Sequence, residues 1–235
     1  MSPAARRPLT VEDGPRAVLN FHGLGPPGAD VPEAQRPYWC PADRYEAILD
    51  EVVRQVGTDG RRVEITFDDG YGSDVEIGLP ALAARGLRAT FFVCSDRIGA
   101  PGFVGRADLA ALLGAGMGIG SHGAAHVDLR GVPPEELERE ASGSRTVLAE
   151  ATGRAVDAFA LPFGSYDRRV LRALRSYARV YSSDGARADD GMHPVPRFSV
   201  LADWTAADAA RACAGRPSAA VRARDALKRR LKGLR

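Results

Sequence analysis

Two short stretches carry residue types that could do chemistry together. "TFDDG" (66–70) sets two carboxylates side by side and turns at once through glycine, and "SHGAAH" (121–126) sets two histidines four apart. Adjacent ionised carboxylates repel each other, so the pair calls for a compensating positive charge, and a divalent cation is the candidate. On a helical turn His122 and His126 would share one face, close enough to hold one ion. The intervening Gly123, Ala124 and Ala125 are too small to obstruct it. An oxygen of Asp69 completes a two-histidine, one-carboxylate set with positions left for water and substrate. That donor mix points to zinc, with cobalt, nickel, manganese or iron as alternatives, rather than to magnesium or calcium. Taken singly the pairs are unspecific: Asp-Asp also suits a turn or a cap, and two histidines four apart also occur in surface loops.

Their placement makes them specific. Apolar strand-like runs at 17–21, 62–67, 88–93, 117–120, 156–161, 178–183 and 195–200 alternate with segments of helical periodicity at 41–56, 75–86, 106–116, 133–153, 167–176 and 205–215. Strand and helix alternating for about seven rounds predict an α/β fold with parallel strands and crossover helices, either a closed barrel or an open doubly wound sheet. In both, function gathers at the carboxyl ends of the strands. There the chain places "HG" (22–23), "DDG" (68–70), "SHGAAH", "PFGSYD" (162–167) and "SSDG" (182–185).

Composition excludes several classes. The 235 residues are 45% apolar and 26% charged, as in ordinary globular proteins. Cys40, Cys94 and Cys213 are scattered, odd in number and without C-x-x-C spacing, which argues against a disulfide framework or a zinc knuckle and fits a reducing compartment. No apolar run reaches the length of a leader or a membrane span, so the expectation is a cytoplasmic protein. Residues 221–235 hold seven Lys or Arg against one Asp, giving this stretch +6 and leaving −4 on the rest of a chain whose net charge is +2. An acidic body with a basic tail is not the profile of a nucleic-acid binder. The tail is read as residues 217–235, after a catalytic body of 1–216. Its leucines among basic residues suit peripheral contact with an anionic membrane face.

"TFDDGY", "SHGAAH" and "LPFGSYD", in this order, resemble the first three motifs of the polysaccharide deacetylases, a family of metal-dependent carbohydrate esterases. The resemblance runs from about residue 17 to 200. It implies a distorted (β/α) barrel of about seven parallel strands and removal of an N-acetyl group from a carbohydrate. By the same resemblance Asp68 is the catalytic base and Asp69, His122 and His126 are the metal ligands. The residues after Pro162, Phe163 first, form a loop whose backbone N–H binds the oxyanion.

The chain also departs from that pattern. The acidic histidine that many members carry near the C-terminus has no clear equivalent here. His22, which ends the first strand as in permuted members, is the preferred proton donor, and His193 the alternative. Leu161 stands where many members have an arginine that steers the catalytic aspartate, so Arg197, in "VPRF", is a candidate to supply that guanidinium. The expected substrate is an acylated carbohydrate or sugar-containing intermediate. Alternatives are a non-sugar amide or cyclic imide, or an inactive carbohydrate-binding barrel.

Overall fold

The computed structural model of the protein describes residues 16–59, 62–189 and 191–214. The expectations for the first residues and for the basic tail lie outside them. In chain order the main elements are β1 Arg16–Phe21, α1 Ala42–Asp59, β2 Arg62–Phe67, a π-turn Asp74–Gly78 running into α2 Leu79–Ala84, β3 Thr90–Val93, α3 Arg106–Gly114 and β4 Gly118–Ser121. Then come α4 Pro134–Glu138, a second π-turn Arg139–Gly143, α5 Ser144–Thr152, β5 Ala158–Ala160, α6 Arg168–Ala173, β6 Arg179–Ser182, β7 Val195–Pro196, β8 Phe198–Ser199 and α7 Ala206–Ala214.

The sheet order is β7-β6-β5-β4-β3-β2-β1-β8, and every neighbouring pair is parallel. The two ends of this list are consecutive in the chain. β7 pairs with β6, β8 pairs with β1, and Arg197 joins them. Its N–H donates to Ser182 O at 3.1 Å, and Val200 N–H donates to Asn20 O at 2.8 Å. The expected strand at 195–200 is thus one stave broken at Arg197, so the expected seven strands are observed as eight in a nearly closed barrel. The break has a purpose in the packing, because it aims the arginine inward.

Strand alternation divides the core. In β1 and β2, Leu19, Phe21, Ile65 and Phe67 point outward and pack against Tyr45, Ile48, Leu49 and Val52 of α1. Phe67 stacks between Phe21 and Phe91, with ring centroids at 5.3 and 4.6 Å. Removing such a buried ring typically costs about 3–5 kcal/mol. On the far side Val93, Phe159, Leu161 and Val180 meet Leu109, Leu148, Val170 and Leu174 of the covering helices. The barrel interior is filled by Val18, Phe92, Ala160, Tyr181 and Val195. A Cβ on Gly120 would fall 2.4 Å from the Phe92 ring, so glycine there is what lets that ring occupy the interior. Among the described residues no helix is long and apolar enough to cross a membrane.

Candidate active site

Interior alternation carries polar groups to the carboxyl end. Asn20 lies opposite Thr66 in the β1–β2 register, and Asp68 N–H donates to Phe21 O at 2.9 Å, so His22 and Asp68 follow as the next inward-facing pair. Asp68 is buried, yet its carboxylate is fully engaged. Arg197, with no exposed surface, donates to both oxygens at 2.7 Å. Asn20 Nδ2 adds a bond to Oδ2 at 2.9 Å. The same guanidinium reaches Asn20 Oδ1 at 2.8 Å and Thr66 Oγ1 at 3.3 Å. Burial pushes the Asp68 carboxyl upward, but the charge and hydrogen bonds of Arg197, with smaller help from His122 and His22, more than offset it and hold it below the usual carboxylate range.

Asp69, one residue on, faces elsewhere. Its φ of 76° puts it in the left-handed region, which turns its side chain from the strand's line toward the histidines. Asp69 Oδ1 lies 3.3 Å from His126 Nε2 and 3.9 Å from His122 Nε2. The three side chains each offer a ligand atom, all within 4.8 Å of one another. Ligand atoms around a tetrahedral ion with bonds of about 2.1 Å stand roughly 3.4 Å apart, so this donor set fits a single transition ion with little adjustment. His122 Nδ1 lies 2.8 Å from Ala160 O, which places the Nδ1 proton there and leaves Nε2 as the ligand atom. Burial, joined by His122, lowers the His126 pKa to about 4, and the neutral ring is the form that ligates. Arg97 also reaches Asp69 Oδ1, at 3.3 Å, while lying over the Phe103 ring.

Two expectations need correction. The histidines do not share a helical turn: residues 122–126 are an irregular turn with Gly123 at φ 79° and His126 at φ 62°. The rings still meet, with centroids 4.9 Å apart, because the turn folds back on itself. Nor is Asp68 left for a divalent cation to compensate: its partner is Arg197, while Asp69 is the carboxylate grouped with the two histidines.

The remaining candidates separate clearly. His22 is half-buried at the end of β1, its Nδ1 covered and without a hydrogen-bond partner among the described residues. Burial lowers its pKa while Asp68 and Asp69 oppose the shift. His193 is exposed and precedes β7, which puts it at the opposite end of the barrel from the strand termini that carry the site. Phe163, at φ 58° and ψ 7°, is 64% exposed and rests on the His126 ring at 4.5 Å. Tyr38, 36% exposed, rests in the same way on His22 at 4.9 Å.

Asn20, Arg97, Tyr38 and two further buried acids were not among the sequence candidates. Asn20 had a signal, since it stands two residues before His22 on the same strand face. The two acids, Asp74 and Glu140, gave none.

A family model described as polysaccharide deacetylase matches residues 55–181. YxkH of Bacillus subtilis is 28% identical over 142 residues, covering 59% of this chain and 51% of that protein. The peptidoglycan-N-acetylglucosamine deacetylase PgdA of Listeria monocytogenes is 31% identical over 116 residues, 48% of this chain and 24% of that one. The chain thus spans about half the length of the first relative and a quarter of the second. In fold it resembles the Streptococcus pyogenes deacetylase PplD, solved in complex with acetate, with a TM-score of 0.74 at 18% identity over 87% of this chain and 100% of that one.

Proposed function

Because the chain belongs to the polysaccharide deacetylase family, we propose that it is a metal-dependent hydrolase that removes an N-acetyl group from a carbohydrate. The observation that carries this reading is the convergence of Asp69, His122 and His126 beside a second carboxylate, Asp68, that is held separately by Arg197. A divalent ion bound by the first three, zinc in the first instance, supplies Lewis acidity toward the acyl oxygen and makes water a nucleophile at neutral pH.

The chain's own residues do the rest. Asp68, kept ionised by Arg197, accepts the proton of the attacking water as general base. Arg197 fixes the direction of that carboxylate. The Phe163 backbone N–H donates to the oxyanion of the tetrahedral intermediate. His22 protonates the departing nitrogen, since expulsion of an amide anion is prohibitive, and the amine and acetate leave. The exposed rings of Tyr38 and Phe163, one against each of two site histidines, offer apolar faces of the kind that a sugar ring packs on, which favours a carbohydrate over a small imide.

The test is acetate release after stripping with a chelator and adding back zinc, on N-acetylglucosamine oligomers, sugar nucleotides and cyclic imides in parallel. Zinc-restored release from the sugars supports the reading. Turnover of imides alone moves it to the non-sugar alternative, and full activity in the stripped protein removes the metal.

A further inference from the structure

The turn that carries both histidines belongs to no helix or strand, so something else must hold its shape. Its backbone N–H groups converge on one acid. Ala124 N–H donates to Glu140 Oε2 at 2.6 Å, and Ala125 N–H lies 3.0 Å from Oε1 and 3.2 Å from Oε2. Successive N–H groups around an anion form a nest, and here the anion is part of the chain. Glu140 is fully buried, a place where a carboxylate persists only when its oxygens are bonded. Arg139 Nη2 completes it, donating to Oε1 at 3.0 Å.

Helix geometry explains how Glu140 reaches the turn. It sits in the π-turn Arg139–Gly143 between α4 and α5, and such single wide turns are frequent at functional sites. A Cβ on Gly123 would lie 2.5 Å from Glu140 Oε2, so the carboxylate occupies space that only glycine leaves open. From the other side Ser95 and Asp96 N–H donate to the carbonyls of Gly123 and Ala124, each at 3.1 Å.

We propose that Glu140 is a positioning residue for the metal site: its buried carboxylate grips the Ala124 and Ala125 amides and so holds His122 and His126 in ligand geometry before the ion arrives. The proposal rests on the metal-site reading above, extending it to an acid that touches neither ion nor substrate.

Two measurements on the full chain test it. Zinc affinity is read by competition with a chromophoric chelator for the wild type, Glu140→Gln and Glu140→Ala, the last with and without added formate. Hydrogen exchange at the Ala124 and Ala125 amides is read in zinc-free protein, with Phe92 in β3 as an internal reference. Expected are about tenfold weaker zinc binding in Glu140→Gln, as for other residues that orient metal ligands, a larger loss in Glu140→Ala that formate partly restores, and faster exchange at Ala124 and Ala125 with Phe92 unchanged. Zinc affinity within twofold of wild type together with unaltered exchange overturns the proposal. So does exchange that accelerates equally at Phe92, since that marks general destabilisation. If the wild type itself binds no zinc, the proposed function falls, and the exchange measurement alone decides whether Glu140 holds the turn. Glu140→Gln keeps the side chain's volume, so the test survives if Glu140→Ala does not fold.

Discussion

Asp68 and Asp69 are adjacent in sequence, yet they open onto two halves of the site built on opposite terms. The inner half, with Arg197, Asn20 and Thr66 around Asp68, is buried and closed: each carboxylate oxygen has its donors. The outer half, with His126, Arg97 and Phe163 around Asp69, has a partly exposed rim and left-handed backbone at Asp69, His126 and Phe163. Non-glycine residues in that region are uncommon and cluster where function requires them. The difference teaches that one peptide unit is enough to separate two tasks. Asp68 continues the inward face of β2 and inherits the barrel's rigidity, while the positive φ at Asp69 redirects the next carboxylate toward His122 and His126. Charge repulsion between the neighbours is met by two different guanidinium groups, Arg197 at Asp68 and Arg97 at Asp69, rather than by one shared partner.

The sharpest way to break this division is to neutralise each acid in turn. Asp68→Asn should lower kcat by about 10²- to 10⁴-fold, the range of a lost general base, with zinc affinity changed by no more than a few-fold. Asp69→Asn should abolish stoichiometric zinc binding, and with it activity. Asparagine tolerates the left-handed backbone at 69, so the variant reports on ligation and not on strain. Chelator competition and steady-state rates on both proteins decide the matter. If Asp68→Asn loses zinc as completely as Asp69→Asn, the two halves are one.

Next in size is the ion pair that anchors the inner half. Arg197→Met leaves Asp68 buried without its partner, and breaking such a pair typically costs about 3–5 kcal/mol. Denaturant unfolding should show that loss, and Arg197→Met combined with Asp68→Asn should recover part of it because the orphaned charge is gone. Destabilisation by the double variant equal to the sum of the two singles would mean that the bidentate contact contributes nothing specific.

Much of this arrangement was readable beforehand. The alternation of β and α segments follows from local periodicity, and parallel topology then sends "DDG" and "SHGAAH" to one end whatever the details of packing. Arg197 could be suggested, because Leu161 left a vacancy for a guanidinium. Its grip on Asp68 could not, since it requires closing a barrel across 129 positions. The four-residue spacing of His122 and His126 suggested a helix, while the glycine at 123 was the local sign that the turn would be left-handed. Glu140 and Asp74 were invisible for a different reason. Each stands beside or within a helical segment where an acid reads as solvent-facing, and each is buried in a π-turn that local periodicity does not announce.

Asp74 gives a smaller effect that tests which acids belong to the charged machinery. It is fully buried, and neither oxygen has a hydrogen-bond partner among the described residues. Burial first, then the charges of Asp69 and Asp68, raise its pKa well above the ordinary value. A carboxyl whose folded pKa lies above its unfolded value, about 3.9, contributes its full stability below that unfolded value and loses it as pH rises through the folded one. An asparagine side chain at this position would resemble the protonated acid without needing a proton. Asp74→Asn should therefore raise the melting temperature at pH 8, by an effect on the order of 1 kcal/mol, and the gain should shrink toward pH 5. A gain independent of pH between 5 and 8 would show that Asp74 is ionised across that range in the folded protein, so that its pKa is not raised by burial, and a loss at pH 8 would show that its charge is used.

The smallest effect lies at the outer rim. Arg97 shares Asp69 Oδ1 with the proposed ion, at 3.3 Å and with part of its side chain in water, so the pair should contribute less than about 1 kcal/mol to folding. Arg97→Met should leave stability within that margin, in contrast to Arg197→Met. Because the guanidinium repels a cation and occupies the same oxygen, its removal should tighten zinc binding several-fold. Weaker binding in Arg97→Met would reverse the reading: Arg97 would then be orienting Asp69 for the ion, and the rim would be as preorganised as the interior.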